Sequence, residues 1–452
     1  MSTTNLSRRS IARMLKSRWA LFVASAIYTL AVLLCLAEYA SVNWAEYGYS
    51  FGGIGLLEGL LLLASIGVWS LVVPKSMHSA SSTILVIVYF AVCIPGLVVP
   101  LGLERGAQGM FTGIALWLVV SFAACCVFVR SLEPGIPAGT HRVSSALVPA
   151  LLVAWLACAT WLIVEYRSIM MLVSLEAIYE QRAAGAATSR AVGYAQTYLG
   201  YVLSPALLVL GLLKKNWLLV TLGFAGGILL YSITAEKNAF SFPFLICAVG
   251  FLLTRGSGFF RTTTFMILFL SAVLLAAVAF SESSLVASFL AWYIGVRSLL
   301  TPGLFIAQYA EFFGDRGHTL WAHVTGIGLL VPRPAGLMDD RWPSLGHIVG
   351  EQYIGKADLN ANANFIASDG IAAFGEVGIF LVFALLGLYL AALDRAACGL
   401  DQRFVVLLAL PIGLTLTNVS FFTVALSFGG LFWLLVLPAV NQRRSSAGMR
   451  PY

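Results

Sequence analysis

Residues 8–37 read RRSIARMLKSRWALFVASAIYTLAVLLCLA, a basic segment followed directly by an apolar one. Arg18 is the last positive charge, and no charged residue follows it before Glu38. A signal peptide has an apolar region of only about 7–15 residues and a small-residue cleavage site. This apolar stretch is longer and shows no clear cleavage site. It therefore predicts an uncleaved first membrane span.

The rest of the chain is also strongly apolar. Hydrophobic residues make up 60% of the 452 residues and charged residues only 10%, whereas a soluble domain is about a quarter charged. This composition excludes a soluble enzyme, a disordered tail and a secreted disulfide scaffold. The seven cysteines fall within predicted spans or at a helix end, so no structural disulfide is expected. We therefore predict an all-α polytopic membrane protein.

Apolar windows of about 20 residues, the length that crosses a bilayer, recur along the chain. We predict twelve spans, at 19–37, 54–73, 82–99, 111–129, 143–164, 196–213, 217–232, 238–254, 262–280, 370–392, 404–420 and 424–440. Most Lys and Arg residues fall in alternate connections, and most acidic residues fall in the others. Because cytoplasmic connections collect Lys and Arg, both termini are predicted to be cytoplasmic. This bias accounts for the net charge of +7 without a nucleic-acid partner.

Two predicted outer connections are long and contain amphipathic patterns typical of interfacial helices. They divide the chain into 1–280 with spans one to nine and the loop 165–195, 281–369 as the second loop, and 370–452 with spans ten to twelve and the tail. A transporter usually has short loops and polar groups near the bilayer midplane. This organisation favours an enzyme or a receptor surface at the outer face over a channel.

Basic residues of the outer side are candidates for an anion site. Arg182 and Arg190 lie eight residues apart, which leaves them about 80° apart on one helix and lets both face a common cleft. Lys237 stands beside Glu236 in the turn between spans seven and eight, and Arg297 is a lone charge on an apolar helix. Phosphate fits such cations, since Arg offers a planar fork to its oxygens. The alternatives are snorkelling of the arginines to headgroups and a solvated Glu–Lys turn.

Acid–base candidates follow Arg297 in the second loop. Asp315, Arg316 and His318 lie within four residues, among aromatic side chains. They are predicted either to transfer protons or to form a polar turn between interfacial helices. Asp369 is expected at the mouth of span ten, as a third candidate. Asn364 either contacts substrate or caps that span.

The chain contains no CxxC, HExxH or P-loop pattern and no carboxylate pair at metal-ligand spacing. We therefore expect no metal site and no cofactor. Three aromatic residues of the second loop could stack on sugars or anchor at the interface: Trp321, Trp342 and Tyr353.

This arrangement resembles the bacterial Wzy-type O-antigen polymerases, which join oligosaccharide repeat units. The likeness covers nearly the whole chain as architecture, with twelve spans and large periplasmic loops after spans five and nine. Three looser motifs accompany it. They are an Arg followed after ten residues by Gly, at Arg182 and Gly193; an RxxxxPG stretch followed by Tyr and FF, at Arg297, Pro302, Gly303, Tyr309, Phe312 and Phe313; and NANF before a Gly-rich helix start, at Asn362, Asn364, Phe365, Gly370, Gly375 and Gly378.

The related O-antigen ligases are similar in plan, and both groups resemble membrane glycosyltransferases of the GT-C type. Ligases carry basic residues at the positions of Lys237 and Arg297, and a His–Asn pair before the Gly-rich helix. This chain has Ala363–Asn364 there instead, which favours a polymerase over a ligase. A lipid-linked oligosaccharide flippase is a further alternative, although it predicts charged spans and short loops.

The resemblance implies a bacterial inner-membrane enzyme that acts on undecaprenyl-pyrophosphate-linked oligosaccharides in lipopolysaccharide or related polysaccharide biosynthesis. A Wzz-like chain-length regulator and a flippase are the implied partners. The residues expected to bind pyrophosphate or glycan are Arg182, Arg190, Lys237, Arg297, Arg316 and Asn364. The residues expected to transfer protons are Asp315, His318 and Asp369.

Overall fold

The computed structural model describes residues 17–104, 108–136, 139–172, 178–186, 188–255, 262–355, 360–361 and 363–443. The basic residues before Ser17 and the motif residue Asn362 lie outside the described residues. Helices dominate the described part. One short antiparallel pair of strands joins a connection, β1 (His141–Val143), to the end of the described chain, β2 (Asn441–Arg443).

The helices differ in length from one turn to more than eight turns. In chain order they are α1 (Arg18–Asn43), α2 (Leu56–Val72), α3 (Ala80–Gly102), α4 (Gln108–Ser131), α5 (Leu147–Tyr166), α6 (Ile178–Ala184), α7 (Arg190–Lys214), α8 (Trp217–Thr234), α9 (Lys237–Arg255), α10 (Thr263–Ala279), α11 (Leu285–Arg316), α12 (Leu345–Ile354), α13 (Ile366–Ala396), α14 (Gln402–Thr415), α15 (Phe421–Leu426) and α16 (Gly430–Val440).

Nine helical stretches within the described residues are long and apolar enough to cross a membrane, counting α15 and α16 as one. Four shorter apolar helices, α2, α9, α10 and α14, accompany them. Each predicted span coincides with one of these helices, and α11 is the additional one. The chain is therefore an all-α polytopic membrane protein, as predicted, while the count of twelve and the GT-C likeness stay predictions.

The additional helix α11 runs across one end of the bundle. Near its start, the carbonyl of Ser288 accepts a hydrogen bond from Tyr39 at the end of α1 (3.0 Å). Twenty residues later, Gln308 donates to the carbonyl of Tyr47, just beyond α1 (3.4 Å). Both parts of α11 thus contact the same short stretch of chain. We call this end of the bundle, where α1 and α3 finish, the loop end.

In the sequence, the second loop begins with a helical stretch, 284–303, which is followed by an amphipathic piece, 304–324. The structure joins the first to most of the second in the one helix α11. A ten-residue π-helical stretch, Ala291–Leu300, leads directly into α-helix from Thr301 to Arg316. Pro302 falls in the first turn of that α-helical part. Inside a continuous helix, proline removes one N–H and its ring crowds the carbonyl four residues earlier. The π-helical stretch before Pro302 has i→i+5 bonds in place of i→i+4 bonds, which changes that register. The Pro–Gly pair therefore continues the helix instead of ending it.

Helix α13 is a hairpin of two helical arms. The rings of Phe365 and Phe383 lie 5.4 Å apart, although residues eighteen apart in a straight helix are separated by about 27 Å. Gly370 and Gly378 also touch, and a Cβ at Gly378 would overlap the Gly370 carbonyl. The chain reverses at Gly375, whose φ of +64° is the left-handed conformation that favours glycine. The predicted span 370–392 corresponds mainly to the second arm.

Asn364 holds the first arm of this hairpin in place. Its buried amide donates to the carbonyl of Pro302 on α11 (2.9 Å). Its Oδ1 accepts from the N–H groups of Ile366 (3.0 Å) and Ala367 (3.1 Å). These bonds satisfy donors that the start of a helix leaves without partners. Of the two predicted roles, the structure shows that Asn364 is a helix cap. Both its amide nitrogen and its Oδ1 make hydrogen bonds within the protein.

We expect Asn364→Ala to lower the free energy of unfolding by about 2 kcal/mol or more, since it removes a cap and leaves buried polar groups unpaired. The matched control is Asn216→Ala, because Asn216 caps α8 at an exposed position where water can replace it. Thermal unfolding of the purified proteins in detergent measures both. Unchanged stability of Asn364→Ala together with lost enzymatic activity would favour the substrate role instead.

The two ends of the described chain meet at the opposite end of the bundle, which we call the terminal end. Arg18 at the start of α1 donates to the carbonyl of Val73 at the end of α2 (2.7 Å). Asp394, near the end of α13, accepts from the N–H of Ser81 at the start of α3 (3.0 Å). Asn441, after α16, donates to a carbonyl just beyond α13 (2.8 Å). The beginning and the end of the described chain thus lie at the same end of the bundle.

Candidate functional site

Three of the predicted anion-binding residues come together at the loop end. Arg182 lies in the last turn of α6, Lys237 is the first residue of α9, and Arg297 lies in the π-helical part of α11. Both arginines are close enough to repel the ammonium of Lys237. The arginine side chains are exposed and the lysine is half-buried. We call Arg182, Lys237 and Arg297 the cationic cluster.

Two glutamines position α6, which carries Arg182. Gln181 is buried and donates to the carbonyls of Ser232 (2.7 Å) and Ile233 (3.1 Å) at the end of α8. Gln196 on α7 donates to the carbonyl of Gly185, just after α6 (3.0 Å). A Cβ at Gly185 would overlap the carbonyl of Ile233, so glycine permits the close approach. Neither glutamine was predicted as a site residue, because nothing in the local sequence pattern marks it.

Glu236 is the acidic neighbour of the cationic cluster. It follows Ala235 in the turn between α8 and α9, and its Oε1 accepts a hydrogen bond from the hydroxyl of Tyr201 on α7. Burial raises the pKa of Glu236, because it disfavours the charged carboxylate, while the Tyr201 hydrogen bond and the nearby Arg182 oppose that rise. The predicted alternative of a fully solvated Glu–Lys turn therefore does not describe this carboxyl.

Aromatic side chains adjoin the cationic cluster. The Lys237 ammonium lies 4.7 Å from the ring centroid of Trp292 on α11. Trp292 stacks on Trp44 at 6.4 Å and an interplanar angle of 30°, and Phe289 lies 5.8 Å from Trp292. The Nε1 of Trp44 is buried and makes no hydrogen bond to any described residue. Cations and flat apolar rings therefore occur side by side, a combination suited to a phosphorylated sugar.

The predicted grouping of Asp315 and Arg316 with Arg297 is not what the structure shows. All three residues are exposed on the continuous helix α11, where about eighteen residues separate roughly 25 Å. Arg316 donates instead to Gln352 on α12 (3.0 Å) and covers the ring of Phe312 (4.6 Å). Because α11 does not turn at Pro302, the acidic candidate stays far from the cationic cluster.

His318 lies in the connection after α11. Its side chain is exposed, and its imidazole packs against Gly375, where α13 reverses. The next residue in the connection, Thr319, donates its N–H to the carbonyl of Ala372 (2.8 Å). These contacts tie His318 to the hairpin turn and not to the cationic cluster.

Asp369, which was predicted at the mouth of span ten, is fully buried in the first arm of α13. Its carboxylate accepts hydrogen bonds from the hydroxyl of Ser420 (2.7 Å) and the N–H of Phe421. It therefore caps α15. The Nε2 of His323 lies 3.9 Å from Asp369 and makes no hydrogen bond to a described residue, while its Nδ1 is 2.8 Å from the Thr319 hydroxyl.

Other predicted residues lie apart from the cationic cluster. Arg190 is exposed at the start of α7, and no contact of the described residues ties it to Lys237. Trp321 packs between Phe374 (4.9 Å) and Phe422 (5.4 Å). Trp342 lies under Arg333 (5.3 Å). Trp321 and Trp342 are thus not the aromatic residues that lie beside the cations.

Metal ligation requires several donors around one point. Among the residues that the structure describes, no group of three His, Cys, Asp or Glu side chains could hold a metal ion.

No known protein family, curated protein or solved structure matches this chain.

Proposed function

We propose that this chain is an inner-membrane glycosyltransferase that polymerises undecaprenyl-pyrophosphate-linked oligosaccharide repeat units into O-antigen or a related surface polysaccharide. The observation that carries the proposal is the cationic cluster at the loop end, with Glu236 beside it and Trp292 against Lys237. Three repelling cations drawn from distant elements are stabilised when an anion lies between them.

The pyrophosphate of a lipid-linked glycan fits this charge. In the proposed reaction, a hydroxyl oxygen at the non-reducing end of a fresh repeat unit attacks the reducing-end C1 of the growing chain. The C1–O bond to the lipid pyrophosphate breaks, and the leaving oxygen takes the electron pair. The task of the protein is to stabilise that negative charge, which Arg182, Lys237 and Arg297 would do.

The attacking hydroxyl must lose a proton, and Glu236 is our candidate acceptor. It stands beside Lys237 and within the electrostatic reach of Arg182, whereas Asp315 lies roughly 25 Å along α11 from Arg297. A carboxylate with a raised pKa accepts protons better than an ordinary one. Burial supplies that rise here. This choice replaces Asp315, His318 and Asp369 in the proposed mechanism.

The proposal includes a location and partners. The loop end would face the periplasm and the terminal end the cytoplasm, in keeping with the bias of Lys and Arg. A flippase would deliver the lipid-linked repeat units to the loop end. A Wzz-like regulator would set the number of units that are joined.

Deletion of the coding sequence tests the proposal in a cell that makes such a polysaccharide. We expect surface lipid that carries one repeat unit in place of a ladder, with the ladder restored by the intact chain. Loss of even the single unit would overturn the polymerase proposal and favour a ligase or a flippase.

The purified protein is expected to keep its activity in EDTA, because the cationic cluster supplies the positive charge that a metal otherwise would.

A further inference from the structure

A cavity of about 380 Å³ opens at the terminal end, far from the cationic cluster. It lies between the start of α1, the end of α2, the start of α3 and the end of α4. Four basic side chains and one acidic side chain line it: Arg18, Lys75, His78, Arg130 and Glu133. The cavity therefore gathers positive charge from connections that are distant in the sequence.

Glu133 makes no ion pair with the two arginines. Its Oε1 lies 2.8 Å from the Nε2 of His78, while the Nδ1 of His78 lies 2.9 Å from the carbonyl of Ser76. The carboxylate of Glu133 is thus engaged by His78. Arg18, Lys75 and Arg130 then have no ion-pair partner among the described residues.

The nearest further acid is also engaged elsewhere. Asp394 is buried behind Ser81 and accepts from its N–H (3.0 Å) and its hydroxyl. Arg18 is held in place by two bonds from a single nitrogen, Nη1, to the carbonyls of Ser70 (2.9 Å) and Val73 (2.7 Å). Arg130 is close enough to repel it. A fixed guanidinium beside a second one is a geometry that favours an oxyanion between them.

We propose that this cavity binds a phosphate group. Two sources share that chemistry: the headgroup of an anionic phospholipid and a free phosphorylated solute. The position of the cavity between helix ends suits either source, because headgroups and bulk solvent both reach that level of a membrane protein. The site is independent of the proposed glycosyl transfer, which is assigned to the opposite end of the bundle.

Binding to the full-length purified protein in detergent tests the proposal. Native mass spectrometry counts bound phosphatidylglycerol, with zwitterionic phosphatidylcholine, whose ammonium already pairs with its phosphate, as the comparison. Thermal unfolding measures stabilisation by inorganic phosphate. We expect Arg130→Gln and Lys75→Gln each to weaken binding about tenfold, the effect of losing one charge-assisted hydrogen bond. Neither residue donates a side-chain hydrogen bond to a described residue, so both variants should fold, and unfolding without ligand verifies this.

Lys214→Gln is the matched control, because Lys214 is exposed at the end of α7 and does not line the cavity. Loss of phosphatidylglycerol binding in both cavity variants, with inorganic phosphate inert, identifies the lipid headgroup. Stabilisation by inorganic phosphate that both cavity variants lose identifies a free phosphate. If neither ligand distinguishes the cavity variants from Lys214→Gln, the proposal is wrong.

Discussion

Replacement of Arg297 by alanine is expected to reduce polymerisation about 100-fold or more, the usual effect of removing one group that stabilises transition-state charge. Arg297 is exposed beside Lys237 and has the fork that a pyrophosphate can engage. Arg297→Lys should recover only part of the activity, since lysine keeps the charge and loses the fork. The measurement is the rate of chain elongation by purified protein on lipid-linked repeat units.

Arg316→Ala is the matched comparison for Arg297→Ala. It removes the same residue type from another exposed position of the same helix. Arg316, however, contacts Gln352 and Phe312 at the other end of α11. The structure predicts less than a twofold loss for this variant. Equal losses in both variants would mean that the whole length of α11 binds substrate, and full activity in both would favour the snorkelling alternative.

Glu236→Gln should lower elongation by about 10²- to 10⁴-fold, the range for loss of a positioned proton acceptor. The amide oxygen can still accept the hydrogen bond of Tyr201, so the change removes the charge and little else. Because the pKa of Glu236 is raised, wild-type activity should fall as the pH drops through that raised value. The variant should lack this acidic limb. A full rate in Glu236→Gln would exclude Glu236 as the proton acceptor.

The stability of this variant separates catalysis from folding. Burial raises the pKa of Glu236 in the folded state. The stability of the fold therefore decreases as the pH rises from the ordinary carboxyl value to the raised one, and the decrease is complete above the raised value. At neutral pH, Glu236→Gln should therefore melt at the same temperature as the wild type or higher, even though its activity falls. The difference in melting temperature should vanish in acid, where both side chains are neutral. A lower melting temperature at neutral pH would attribute the lost activity to misfolding.

The sequence predicted the membrane helices well, because a run of apolar residues is a local signal. The hairpin of α13 was not predicted, because a local signal contains no information on how the chain turns back on itself. Hydropathy shows that residues 366–396 are apolar. It does not show that the chain reverses at Gly375 and brings Gly370 against Gly378. The continuous helix α11 was missed because Pro302 and Gly303 are typical of a break, while a π-helical stretch before them allows the helix to continue.

The residues of the cationic cluster could be predicted from the sequence, since a charged residue at the end of an apolar segment is easily recognised. The residues that surround the cluster could not be predicted. Trp44 and Trp292 are separated by more than two hundred residues, and Gln181 binds carbonyls about fifty residues away. No spacing rule relates such pairs. Asp369 was predicted as a catalytic candidate because it is a carboxylate in an apolar segment. The structure shows that it caps a helix about fifty residues away in the sequence.

The cap made by Asp369 affects how the newly synthesised chain matures. Asn364 and the first arm of α13 dock on Pro302, which the ribosome has already released when the hairpin emerges. The partners of Asp369, Ser420 and Phe421, come about fifty residues later. Until they arrive, the buried carboxylate lacks both of its hydrogen-bond donors, and only the imidazole of His323, 3.9 Å away, lies near it. A buried carboxylate without its hydrogen bonds is a costly state. Chains arrested before residue 420 are therefore expected to be substrates for membrane quality-control proteases, even though nearly all of their spans have been inserted.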